Sequence, residues 1–201
     1  MKRFLATILI LGLAQPLMAN AQAPNFSYNS FGLAYANLDA ADSSEDIRQV
    51  GINTSLAINH QFFAFVDHNR SKADLSNGDD LKSHLTSAGL GLVFPVKDKL
   101  DIVGKASYLQ KSTEVCLQGT CTDATDYGYR LSAQANYWLT SNIDSEVALD
   151  YDNLDRKGSD TAYRFGVGYW PAKEHRLGFE YRVGDNYDAI GFNYRISQNL
   201  Y

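Results

Sequence analysis

Four histidines, two cysteines and a surplus of carboxylates are the residues of this 201-residue chain that could support chemistry. A hydrolytic centre needs a nucleophile or activated water beside a base, commonly a histidine oriented by a carboxylate or serine. Among His60, His68, His84 and His175, His68 is the one candidate worth naming, with Asp67 before it and Ser71 three residues on. Adjacent residues of a strand point to opposite faces, so Asp67 is poorly placed to orient His68. His60 and His175 fall in short turns, and His84 shares parity with Thr86, Ala88 and Leu90 on an apolar face. No catalytic residue is expected, and His68 reads as a rim residue.

Asp39, Asp42, Glu45 and Asp46 crowd one segment, and Asp79 and Asp80 another. Oxygen clusters suit Ca²⁺ or Mg²⁺, but the D-x-D-x-D-G loop spacing is absent, so solvated acidic loops are expected instead of a metal site. Cys116 and Cys121 are spaced C-x4-C. Two thiols fall short of the four ligands of structural zinc. In an oxidising compartment they read as a local disulfide closing a short loop. No metal and no cofactor is expected.

A further set of charges alternates with apolar residues: Lys105, Arg130, Glu146, Asp150, Arg164, Glu180, Arg182 and Arg195. The elements carrying them have period two. Tyr127, Tyr129, Leu131, Ala133, Ala135 and Tyr137 interleave with Gly128, Arg130, Ser132, Gln134 and Asn136, and Leu177, Phe179, Tyr181 and Val183 interleave with Gly178, Glu180 and Arg182. A helix would scatter residues two apart around its axis, whereas a strand puts them on one face. Short connections near 59–61, 95–99, 139–142 and 171–175 alternate with longer, more acidic ones near 39–46, 72–80, 116–123, 155–159 and 184–186. The reading is all-β, about ten antiparallel strands running up and down.

The N-terminus reads as an export leader: Lys2 and Arg3, the apolar run from Phe4 to Leu13, then Ala19-Asn20-Ala21 as a cleavage frame. The expected division is a leader over 1–21 and a barrel over 22–201. Loss of Lys2 and Arg3 takes the formal charge from −5 to −7, with 16 basic against 23 acidic groups. An acidic exported chain is a poor partner for nucleic acid or for an anionic membrane surface. After the leader no stretch reaches the ~18 apolar residues of a spanning helix. The mean hydropathy of −0.30 nonetheless suits a membrane barrel, in which only alternate residues meet lipid.

A soluble sandwich would share the alternation, so aromatic placement discriminates. Phe26, Phe62, Phe63, Phe94, Tyr137, Trp138, Tyr169 and Trp170 gather beside the short turns or the N-terminus. Tyr35, Tyr108, Tyr127, Tyr151, Tyr163 and Tyr187 lie near the other end. Two such bands match the girdles of a transmembrane barrel, which puts the alternating charges in its lumen.

The last strand runs Gly191-Phe192-Asn193-Tyr194-Arg195-Ile196 and resembles the C-terminal signal of outer-membrane barrels, with a five-residue tail after Ile196. Over the mature length the chain resembles small Gram-negative outer-membrane β-barrel proteins. Phe26-Ser27-Tyr28-Asn29 and the turn Pro95-Val96-Lys97-Asp98-Lys99 are similar to the group related to the xanthomonad quorum-linked outer-membrane protein. The resemblance implies the cell outer membrane as location, with outer-membrane lipids and lipopolysaccharide as surroundings and the barrel-assembly machinery as a partner in biogenesis. It names no extracellular partner. The expected function is non-enzymatic: an envelope or surface-interaction barrel with a mostly filled lumen. The alternative is a narrow, porin-like passive channel for ions or small polar solutes.

Overall fold

The computed structural model describes residues 25–40, 47–74, 80–117, 120–185 and 187–198. The expected leader over 1–21, the acidic residues Asp42, Glu45, Asp46 and Asp79, and the last three residues lie outside them. Ten strands follow in chain order: β1 (Ser30–Ala40), β2 (Ile47–Ala57), β3 (Phe62–Asp74), β4 (Asp80–Lys97), β5 (Leu100–Leu117), β6 (Thr120–Trp138), β7 (Ile143–Leu154), β8 (Gly158–Ala172), β9 (His175–Gly184) and β10 (Tyr187–Ser197). Each pairs antiparallel with its neighbours in sequence, and β1 pairs with β10, so the sheet closes into a barrel. Closure satisfies every ladder amide within the protein, as a surface facing hydrocarbon requires. Among the described residues no helix is long and apolar enough to cross a membrane.

The alternation sorts residues to the two sides of this wall. Phe31, Leu33, Ile52, Leu56, Leu90, Leu131, Val147, Phe165, Val167, Phe179, Ile190 and Phe192 all stand exposed on the outside. A continuous apolar band of this extent is a lipid-facing surface, because a monomeric soluble protein rarely exposes patches beyond a few hundred Å².

Two expectations need correction. The connection near 116–123 is no long loop: β5 and β6 continue to Leu117 and from Thr120, with Cys116 opposite Cys121. Likewise β7 ends at Leu154 and β8 resumes at Gly158, whose φ of 80° needs a residue without a Cβ. Length has gone into strands instead of loops. β4, β5 and β6 have 18, 18 and 19 residues, where ~9–11 suffice to span a bilayer. They project beyond the membrane on the side away from the short turns.

The second correction concerns the aromatic bands. Phe62, Phe94, Tyr137 and Tyr169 have outward parity, but Phe26, Phe63, Trp138 and Trp170 are turned inside. In the other band Tyr35, Tyr108, Tyr127, Tyr151 and Tyr163 point outward, while Tyr187 has the inward parity of Ala189 and Gly191.

Candidate functional site in the barrel interior

Inward positions of β5 to β10 carry the alternating charges into a shared space. A cavity of about 230 Å³ is lined by Lys105, Arg130, Glu146, Asp150, Arg164, Glu180, Arg182 and Arg195, together with Asp67 and Arg176. That is room for a few ordered waters, below the ~300–1,000 Å³ of an ordinary ligand pocket.

Arg164 sits among three carboxylates from the two strands that flank its own. Its Nη1 is 3.3 Å from Glu146 and 3.8 Å from Glu180, and its Nε is 3.6 Å from Asp150. Arg182 donates to Glu180 at 3.0 Å. Arg130 makes two 2.6 Å bonds to Asp152, a bidentate fork. Lys105 lies over the Phe65 ring at 5.8 Å, and Arg195 over the Trp170 ring at 5.5 Å. Cations and anions on one face of a closed sheet have nowhere else to go, and pairing offsets their desolvation.

The most buried of the described pairs involves two residues that the sequence reading does not single out. Arg176 donates from Nε and Nη2 to the two oxygens of Asp144, at 2.8 and 2.7 Å, and both side chains are at most 4% exposed. Trp170 Nε1 also donates to Asp144, and Arg176 Nη1 reaches Asn193 at 2.9 Å. The guanidinium lies against Gly168, where a Cβ would come within 2.1 Å of Nε. Asp144 and Asp152 share the parity of Glu146 and Asp150, and Arg176 that of Glu180 and Arg182. Extending each alternation by one pair toward the turns would have found all three.

The segment before β1 packs across the end bearing the short turns. The buried Asp101 carboxylate accepts from the backbone N–H groups of Asn25 and Phe26 at 3.0 to 3.1 Å, from Asn25 Nδ2 at 2.7 Å and from the Tyr28 hydroxyl at 3.3 Å. Trp138 Nε1 donates to the Asn25 carbonyl. Phe26 stacks on Trp138 at 4.8 Å, Trp138 meets Trp170 at 5.5 Å, and Tyr28 stacks on Phe63 at 4.8 Å. Beneath Tyr28, Phe63, Phe65, Val93 and Val103 form a small apolar core inside the barrel. The lumen is therefore apolar and aromatic at one end and charged above it.

His68 lies outside this interior. Its Nδ1 is 2.9 Å from Thr86 Oγ1 on the outer surface, while Asp67 faces inward and accepts from Ser87 Oγ at 3.2 Å. Parity separates the pair, as strand geometry requires. His175 Nδ1 meets the Tyr194 hydroxyl at 2.6 Å near a turn. Glu114, Cys116 and Cys121 bring ligating atoms within 4.8 Å of one another, but the two sulfurs lie at bonding distance from each other and a bonded sulfur is no thiolate ligand.

A closed antiparallel wall, an apolar outer band and a charged interior together define a transmembrane β-barrel. Residues 5–200 match the outer membrane protein beta-barrel domain, and the chain belongs to that family, which places it in the cell outer membrane. No curated protein sequence matches the chain significantly. Among solved structures, the NanC porin is similar with a TM-score of 0.53 and 11% identity, covering 85% of this chain and 100% of that one. Neisserial surface protein A gives 0.49 and 16%, over 84% and 95%. Ail, the attachment invasion locus protein of Yersinia pestis, gives 0.46 and 13%, over 83% and 95%. At these identities the likeness concerns the fold alone; it spans both porins and surface proteins.

Proposed function

We propose that this protein is a non-enzymatic envelope or surface-interaction barrel whose lumen is filled. The observation that carries the reading is the small cavity at the level of the paired charges, about 230 Å³, lined by Phe26 and Tyr28 as well as by Arg164 and its partners. A barrel of eight strands is just filled by side chains, whereas barrels of sixteen to eighteen strands leave an aqueous channel. With ten strands, the extra radius is taken up here by large residues: Phe63, Phe65, Trp138, Trp170 and the arginines. What the protein offers its surroundings is then the outward projection of β4 to β6, buttressed by the sulfur–sulfur bridge of Cys116 and Cys121. The barrel-assembly machinery is its partner in biogenesis, through the strand from Gly191 to Ile196 that seals against β1.

Vesicle swelling tests this. Vesicles containing the folded protein should swell in an iso-osmotic solution of a small neutral sugar no faster than vesicles without it. Swelling at a porin-like rate would refute the filled lumen.

One observation favours a second reading, a narrow passive channel. The cavity lining holds six cations, Lys105, Arg130, Arg164, Arg176, Arg182 and Arg195, against four carboxylates, Asp67, Glu146, Asp150 and Glu180. A pore through this lining would prefer anions, because rings of fixed charge set selectivity. A reversal potential under a salt gradient would show that preference if current flows at all.

A further inference from the structure

Where β5 and β6 run past the membrane, the two faces of the hairpin differ in charge. On the outer face Glu114 stands directly opposite Asp123, and Glu114 accepts from Lys82 of β4. The inner face, continuous with the lumen side of the wall, carries Lys111, Thr113 and Val115 from β5 and Thr120, Thr122 and Ala124 from β6. Together with the turn between β7 and β8 it bounds a pocket of about 560 Å³. Ligand pockets ordinarily measure ~300–1,000 Å³.

Cross-strand register grades this pocket from neutral to basic. Val115 faces Thr122 and Thr113 faces Ala124, two rungs without charge. One rung nearer the barrel, Lys111 faces Asp126. Asp126 is buried, and its carboxylate is engaged elsewhere: it accepts from the backbone N–H groups of Arg156 and Lys157 at 3.1 to 3.2 Å. The Asp155 N–H adds a 2.8 Å bond to the Tyr127 carbonyl. These bonds pin the turn to β6 and set Arg156 and Lys157 on the pocket wall. Among the described residues no carboxylate lies at ion-pair distance from either cation. The strongest charge acting on Lys111 is that of Lys157; Asp160 and Asp152 act in the opposite sense, the latter already forked to Arg130. Three cations thus share one end of a pocket whose single carboxylate is turned to backbone amides. An anion between them would relieve their mutual repulsion.

We propose that this pocket binds a small organic acid with an apolar body. Lys111, Arg156 and Lys157 hold the anionic group, the guanidinium as a fork and the ammonium groups as point charges. Val115, Ala124 and the threonine methyls cover the apolar part. A few charged groups converging on an otherwise uncharged lining are what orient a ligand of this kind. The inference deepens the reading of β4 to β6 as the surface that the barrel offers. It makes no demand on the lumen, so failed binding here and leaking vesicles are separate results.

Titration calorimetry of the folded full-length protein in lipid nanodiscs tests it, with empty nanodiscs as the blank. The probe is 2-naphthoate; 2-naphthamide supplies the same body without the charge, and acetate the charge without the body. Naphthoate should bind saturably at one site per barrel, and the other two at least tenfold more weakly. Arg156→Gln with Lys157→Gln should weaken naphthoate binding about tenfold or more. Ala124→Phe, which fills the uncharged end, should abolish it, whereas Lys173→Gln, on the turn between β8 and β9, should leave it unchanged. Arg156 and Lys157 are exposed, so their loss should spare the thermal midpoint and show that the double variant folds. No saturable binding above the blank, equal affinity for the amide, or full affinity in both pocket variants would overturn the proposal.

Discussion

Replacing Asp144 with asparagine should be among the most costly single changes in this barrel. The carboxylate takes two bonds from Arg176 and one from Trp170, with 3% of its side chain exposed. Asparagine keeps the shape but presents an N–H₂ to a guanidinium that stays charged. Removing one partner of a buried pair costs about 3–5 kcal/mol, because the other charge is left without compensation. Arg176 also borders the cavity, where water can reach it, so the lower end applies. About 3 kcal/mol is roughly a 150-fold change in the folding equilibrium. Urea titration of the protein in lipid vesicles measures it, read by tryptophan fluorescence. Trp138 and Trp170 are the chain's two tryptophans, and Trp170 touches the altered group. The double variant Asp144→Leu with Arg176→Met should cost much less than the two single changes together, since a packed apolar pair leaves no orphan charge. A single-variant cost below about 0.5 kcal/mol, or additive single and double effects, would refute the reasoning.

Further outcomes follow from the same geometry. Gly168→Ala should displace the Arg176 guanidinium and cost about 1–3 kcal/mol, whereas Gly104→Ala, where a Cβ meets nothing within 4 Å, should change the urea midpoint little. Asp101→Ala should free the segment holding Phe26 and Tyr28, seen as faster protease cleavage before β1 while the strand content by circular dichroism is kept; an unchanged cleavage rate would contradict that anchoring. Lys82 holds the Glu114 carboxyl below its usual value of about 4.5. A lowered carboxylate pKa stabilises above the ordinary value and loses that contribution as pH falls through it, so amide exchange where β4 meets β5 near Glu114, corrected for intrinsic rates, should be more protected at pH 6 than at pH 3. Changing both Cys116 and Cys121 to serine should speed exchange at the same projecting end and leave the global midpoint within about 0.5 kcal/mol, because strand ends open locally.

The wall of the barrel was legible because a closed sheet between lipid and a polar interior imposes alternation on nearly every strand. The run from Tyr127 to Tyr137 allows only one assignment of faces. Interior positions such as Arg130, Glu146 and Arg164 follow from parity alone. Parity does not say which cation meets which anion, since that depends on register across strands, and Arg130 met Asp152 instead of the carboxylates first chosen. The aromatic bands were misjudged where two aromatics adjoin. Phe62-Phe63, Tyr137-Trp138 and Tyr169-Trp170 are doublets, and successive strand residues cannot both face lipid. One of each pair had to enter the lumen, and these form its apolar floor. The projecting strands were mistaken for loops because Thr, Asp and Glu in 113–125 have the composition of a loop, while cross-strand pairing beyond the membrane needs no apolar face.

A ten-stranded outer-membrane barrel whose interior is filled by the segment before β1 and by paired charges should not conduct. Single-channel recording of the folded protein in a planar lipid bilayer tests it most directly. Inserted wild-type barrels should be silent, and intermittent current should appear once Asp101→Ala is combined with neutralisation of Arg164. Steady, ion-selective openings of the wild type that fall when Arg130 or Glu146 is neutralised would contradict it and establish a pore.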